Sequence, residues 1–248
     1  MFMNTALFIA DKIDFSYQDL ADAVSYLNAE ELCRFEKIKI DKDKIIFALS
    51  RKILKLALAH YYPHIDKKDW IFAQNSYGKP YINSPKLPDP LYFNLSHSVD
   101  AIAVAISRDS EVGVDIERVR SLDRAQVKST AHLNISQNFF TENEYRNIIS
   151  LTYDEGFLLF WRLWTIKEAY IKYRGMGLSL GLNCIDIDLS ANSILLNACD
   201  DEISIHQWIN NNLIIALSAA KSVNDITLFR YDMQLTLHSI VNYEYIHN

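Results

Sequence analysis

Apolar side chains recur at helical spacing between Asp43 and Tyr62, at Ile46, Leu49, Ile53 and Leu56, which predicts an amphipathic helix ending before Pro63. Four of the five prolines then fall between Pro80 and Pro90, and the stretch KPYINSPKLPDP reads as a loop. After it come LYFNLSHS, AIAVAIS and EVGVDIE, short β-rich segments with a turn at Arg108 to Ser110. Arg118 to Asn138 is polar and weakly patterned, and FFTENEY opens a helix-prone segment. A strongly apolar helix is expected from Glu155 to Tyr173, stopped by RGMG, whose glycines accept the backbone angles of a helix end. The last third alternates as strands do, in CIDIDLS, ILLNA, ISIHQWI, NLIIALSA and DITLFRY. Helix-then-strands therefore occurs twice without a close sequence repeat. This predicts an α+β fold of two halves, residues 1–110 and 111–248, meeting near residue 110.

Composition narrows the class. Half of the 248 residues are apolar and 23% are charged, the balance of a soluble globular chain. The longest apolar runs, such as Leu213 to Ala220, are far shorter than the roughly 18 residues a membrane span needs, so no membrane is expected. The N-terminal MFMNTALFIADKID lacks a basic start and a small-residue cleavage site, and no signal peptide is read there. Cys33, Cys184 and Cys199 are odd in number, far apart and without metal-ligand spacing, which suggests a reducing, cytoplasmic setting. A formal charge of −6 argues against nucleic acid as a partner. Even so, Arg34 to Lys55 holds eight basic residues against three acidic ones, leaving the remainder near −11. Such an island is either a solvated helix face or a binding surface for a small polyanion.

In VGVDIE, strand alternation turns Val112, Val114 and Ile116 to the core and Gly113, Asp115 and Glu117 the other way. Asp115 and Glu117 then stand about 6–7 Å apart, twice the strand rise. They are either a solvated strand face or a pair of ligands for a divalent cation, with Gly113 leaving room for a ligand. Oxygen donors without neighbouring cysteine or paired histidine favour magnesium or manganese over zinc. A third acid, Glu168, follows Trp164 by four residues and Trp161 by seven, so it projects from a tryptophan-lined helix face where an unpaired carboxylate is costly. Lys172, one turn further on, either forms an ordinary ion pair with Glu168 or holds a phosphate. FNLSHS adds Asn94, Ser96, His97 and Ser98. A serine beside a histidine seldom makes a nucleophile and base, so a phosphate contact fits better than a hydrolase, although a lone histidine in a strand or turn is more often structural. GLSLG, from Gly177 to Gly181, matches the nucleophile-elbow pattern but trails a helix instead of opening one, so the match is chance. Lys79, in YGKPY, is by itself an exposed residue of a tight turn.

Taken in order, YGKP, FNLSHS, VGVDIE and FWRLWTIKEAYIKYRGMGL resemble the 4'-phosphopantetheinyl transferases of the surfactin-synthetase-activating (Sfp-like) type, across roughly residues 30 to 182. The resemblance implies two similar α/β subdomains, a pseudo-dimer within one chain, with coenzyme A and Mg²⁺ in the cleft between them and a monomer sufficient to complete it. Asp115, Glu117 and Glu168 would be the metal-binding acids, and His97 and Lys172 would contact the pyrophosphate with Ser96 beside them. Gly78, Lys79 and Pro80 would line the adenine side, Arg34 would meet the 3'-phosphate, and Glu144 matches a family acid. A basic position three residues before Arg34 is Glu31 here, and Phe47 replaces a small polar residue. Lys42 or Arg51 could compensate.

The implied reaction is attack by a serine of an acyl or peptidyl carrier protein on the β-phosphorus of coenzyme A, releasing adenosine 3',5'-bisphosphate. Glu168 is the candidate base. Arg118, Arg120, Arg124 and Lys128 either face an acidic carrier or form a solvated segment. A silent carrier-protein or coenzyme A binding module, and a magnesium-dependent hydrolase of nucleotide pyrophosphates, are the readings from other classes.

Overall fold

A computed structural model describes residues 4–12, 20–119, 130–189, 194–196, 202–223, 225–231, 237–239 and 244–247. Strand β1 (Thr5–Asp11) precedes the helices α1 (Leu20–Ser25), α2 (Ala29–Lys37) and α3 (Asp41–Ala59). The hairpin β2 (Ile71–Gln74) and β3 (Pro80–Ser84) follows, then β4 (Tyr92–Ser98), β5 (Ala101–Ser107) and β6 (Val112–Arg118). Next come α4 (Ala131–Phe139), α5 (Glu142–Ser150) and the long α6 (Tyr153–Arg174). Seven strands close the described chain: β7 (Ile187–Asp188), β8 (Leu195–Leu196), β9 (Ile203–Asn210), β10 (Leu213–Ala220), β11 (Ile226–Tyr231), β12 (Leu237–Ser239) and β13 (Glu244–His247).

Two sheets carry the architecture, one ordered β12-β11-β1-β5-β4 and the other β13-β9-β10-β6. They pack face to face, with Leu7, Ile9 and Ala103 of the first meeting Val112, Val114, Ile116, Ile215 and Leu217 of the second. Each fully buried aliphatic of this kind stabilises the fold by about 1.5–3 kcal/mol relative to exposure. The outer face of the first sheet, with Phe8, Val104 and Ile106, covers Ile45, Leu49 and Ile53 of α3. The outer face of the second, with Ile203, Ile205 and Ala216, covers Leu163, Ile166 and Tyr170 of α6. The layers therefore run helix, sheet, sheet, helix, a mixed α/β architecture.

The break between the two sheets lies between β5 and β6, near residue 110, but the sheets do not follow chain order throughout. β11 returns to pair in parallel with β1, and β12 pairs with β11, so residues 226–239 contribute to the first sheet. The expected helix at residues 43–62 is α3, which starts two residues earlier and ends at Ala59. α4 lies in the stretch read as weakly patterned. It buries His132 and Ser136, so its inward face lacks the aliphatic periodicity that marks a helix. Among the described residues no helix is long and apolar enough to cross a membrane.

α6 positions the chemistry of the molecule. Thr152 and Glu155 form a capping box at its start, and Gly175 ends it in the left-handed region at φ 63°. Its backbone lies directly on β6 at Gly113, where an added Cβ would meet the Ala169 carbonyl at 2.1 Å and the Tyr173 nitrogen at 2.2 Å. The space expected for a ligand beside Gly113 is thus filled by the helix, which corrects that part of the sequence reading.

Candidate active site

Edge strands β4 and β6 meet along the seam between the two sheets, joined by side chains. β6 pairs through its backbone with β10, leaving its other edge turned towards β4. Asn94 Oδ1 accepts the Val114 N–H at 3.0 Å, and four residues further along each strand Ser98 Oγ accepts the Arg118 N–H at 3.1 Å. Between them the Ser96 hydroxyl donates to Asp115 Oδ1 at 2.8 Å, and the Ser98 hydroxyl donates to Glu117 Oε2 at 2.7 Å. Alternation on β4 puts Asn94, Ser96 and Ser98 on one face, matched to the acids two residues apart on β6.

α6 adds Lys172, whose ammonium donates to Asp115 Oδ1 at 2.7 Å and to Ser96 Oγ at 2.8 Å. The bonded partner of Lys172 is therefore Asp115, not Glu168 one turn away as the simple helical pairing has it. Three carboxylates crowd this corner. Burial pushes Glu117 up to about 7, with Asp115 and Glu168 adding to the rise and Ser98 and Lys172 opposing it. Burial and then Asp115 also raise Glu168, against the pull of Lys172. His97 alternates to the face opposite Ser96 and is exposed. Desolvation by the surrounding protein and then Lys172 nevertheless hold its imidazole below the usual range, with Asp115 and Asp43 opposing.

The donor set suits a hard divalent cation. Among the described residues the buried Asp115 Oδ2 has no hydrogen-bond partner, an arrangement that costs free energy unless something positive meets it. The acids nevertheless do not form a ready cage: among the described residues no group of three or more His, Cys, Asp or Glu side chains is placed to hold a metal ion.

The remaining predicted residues lie around this corner. The turn between β2 and β3 docks on the end of α6: Lys79 donates to the Tyr173 carbonyl at 2.9 Å and pairs with Glu111, while Asn75 donates to the Gly175 carbonyl at 3.0 Å. Lys79 is therefore a helix cap as well as a turn residue, and Gly78 beside it has φ 89°. Pro80 opens β3. Arg34 lies over the Phe47 ring at 5.4 Å, and Arg51 lies over Phe47 at 5.4 Å and Phe72 at 5.3 Å. Glu31, at the position where the family carries a base, is buried. It caps α2 with Asn28, pairs with Lys55 and faces Arg51 at 3.3 Å. Arg51 thus has a structural partner.

Glu144 caps α5 with Thr141 and forms a fully buried ion pair with Lys167 at 2.8 Å, which identifies it as a packing residue of the second half. Arg118 is held by Asp100 at 2.8 Å and by Asp11, with its side chain only 10% exposed. It is not a free docking residue, which corrects that reading. Arg120, Arg124, Lys128 and Cys199 lie outside the described residues. The bonds of Asn94 and Ser98 across the seam are not among the expectations from the sequence; the polar alternation N-x-S-x-S is the signal that marks them.

Residues 111–218 match the family model of the 4'-phosphopantetheinyl transferase superfamily. Over 176 residues the chain is 33% identical to the 4'-phosphopantetheinyl transferase ffp of Bacillus subtilis, covering 70% of this chain and 71% of that relative. It is 33% identical over 169 residues to the 4'-phosphopantetheinyl transferase Sfp of Bacillus subtilis (strain 168), covering 67% and 68% respectively. With the 4'-phosphopantetheinyl transferase gsp of Aneurinibacillus migulanus the identity is 36% over 125 residues, 50% of this chain and 46% of the relative.

Proposed function

The chain belongs to the 4'-phosphopantetheinyl transferases and is an enzyme of that type; from that premise we propose that it transfers phosphopantetheine from coenzyme A to a serine of an acyl or peptidyl carrier protein, at the corner where β4, β6 and α6 meet. The observation that carries the reading is the buried Oδ2 of Asp115, without a hydrogen-bond partner among the described residues, with Glu117 and Glu168 crowded at the same corner.

Asp115, Glu117 and Glu168 are the residues that would hold Mg²⁺. When bound, Mg²⁺ supplies charge neutralisation for a diphosphate and its leaving group. Lys172, bonded to Ser96 and Asp115, and His97, close enough to feel the charges of both Lys172 and Asp115, would offer N–H donors to phosphoryl oxygens, where charge builds in the transition state. The serine oxygen of the carrier bonds to the β-phosphorus as the bond from that phosphorus to the bridging oxygen breaks. Adenosine 3',5'-bisphosphate leaves, and Glu168 is the carboxylate proposed to take the serine proton. Arg34 serves the 3'-phosphate and Gly78 to Pro80 the adenine side. Two sheets, each with a long helix on its outer face, support two related halves meeting near residue 110 within a monomer, with residues 226–239 of the 111–248 half joining the first sheet. The widely spaced cysteines support a cytoplasmic setting.

Incubation with coenzyme A, Mg²⁺ and an apo-carrier, followed by weighing the carrier, tests this. A gain of the phosphopantetheine mass supports transfer. Free phosphopantetheine would mean hydrolysis, and neither product would mean a binding module; both outcomes reject the proposal.

A further inference from the structure

We infer that Ser98 is a positioning residue for Glu117, orienting that carboxylate towards a divalent cation; the inference rests on the metal reading of the site given above. The Ser98 hydroxyl makes two bonds. Its oxygen accepts the Arg118 N–H at 3.1 Å, so the proton is directed to Glu117 Oε2 at 2.7 Å. One carboxylate oxygen is thereby held against β4, and Oε1, with no hydrogen-bond partner among the described residues, can face a ligand.

The anchor behind Ser98 is firm. Arg118 is tied through its side chain to Asp100 at 2.8 Å and to Asn212 at 3.0 Å, and through a further ion pair to Asp11 of β1. Ser98 therefore relates the carboxylate of the second sheet to the edge of the first. Ser96 does the same for Asp115, holding Oδ1 while Oδ2 has no partner among the described residues. Two serines two residues apart thus fix one oxygen on each of two acids two residues apart. Hydrogen bonds behind metal-ligating carboxylates characteristically set the ligand's orientation, and their loss weakens metal binding by roughly 10- to 100-fold.

Mn²⁺ alone, titrated into the full chain with free Mn²⁺ read by electron paramagnetic resonance, tests this. Ser98→Ala should weaken binding by roughly 10-fold or more, and Ser98→Thr, which keeps the hydroxyl, should bind like the wild type. Ser98→Cys keeps the size but has a weak donor, and should also bind weakly, which covers the case that the alanine variant does not fold. In a Glu117→Ala background Ser98→Ala should have no further effect. Wild-type affinity in folded Ser98→Ala or Ser98→Cys, or an undiminished Ser98→Ala effect without Glu117, would overturn the inference while leaving the metal reading intact. Failure of the wild type to bind Mn²⁺ would instead remove the metal reading and this inference with it.

Discussion

Lys172 on α6 and Asp115 on β6 are joined at 2.7 Å, so the long helix and the edge strand of the second sheet meet through a charge pair. The lysine neutralises one of three acids at that corner and leaves Glu117 and Glu168 crowded beside it. How the corner responds to substitution, pH and metal follows from that imbalance.

Lys172→Met should leave Asp115 buried without its cation. Loss of one charge-stabilising donor costs about 10²–10³-fold in kcat elsewhere, and a fall of that order is expected in carrier loading. Steady-state kinetics with the carrier and coenzyme A varied separately would measure it. A fall in kcat smaller than about threefold would contradict the role.

Gly113→Ala should be strongly destabilising, because its Cβ would meet backbone atoms of α6 at 2.1 and 2.2 Å. Backbone cannot rotate away as a side chain can. A loss of about 3 kcal/mol, read by urea unfolding, is expected, together with loss of transfer.

Glu144→Ala should destabilise without altering the chemistry. Removing one partner of a buried ion pair costs about 3–5 kcal/mol, and the carbonyls of Leu182 and Ile185 would not replace the lost charge beside Lys167. The folded fraction should retain the wild-type kcat, measured at low temperature.

Stability should fall as pH rises through the corner's carboxylates. Glu117 has its folded value raised to about 7 from an ordinary 4.5, so between those values the folded chain holds more protons than the unfolded one. Its stabilising contribution is present below about 4.5, shrinks across that window and is lost above about 7; Glu168 is shifted in the same direction. Thermal unfolding of the metal-free chain from about pH 4.5 to about pH 8 should show this decline, reduced in Glu117→Gln. Added Mg²⁺ should raise the melting temperature more at about pH 8 than at about pH 5.5, because the acids it meets are then ionised.

Alternation alone places Asp115 and Glu117 together on a face opposite Val114 and Ile116, so much of this corner was legible in the sequence. What crosses that face was not. The helix filling the space at Gly113, the return of β11 to β1, and the pairing of Glu31 with Lys55 are contacts between residues distant in the chain, which no local period encodes. α4 escaped because its fully buried residues are His132 and Ser136, while Leu133 and Ile135, two apart, are only partly buried and set no helical period. Arg118 read as a surface charge because Asp11 and Asp100, the acids that hold it, lie far from it in the chain.

The decisive experiment follows by mass the rate at which a carrier gains phosphopantetheine, for the wild type and for Asp115→Ala with Glu168→Ala, with Mg²⁺ and with a chelator. Loading by the wild type should need Mg²⁺, and the double variant should lose at least about 100-fold in rate. Loading by the double variant as fast as the wild type would refute the assignment of these acids.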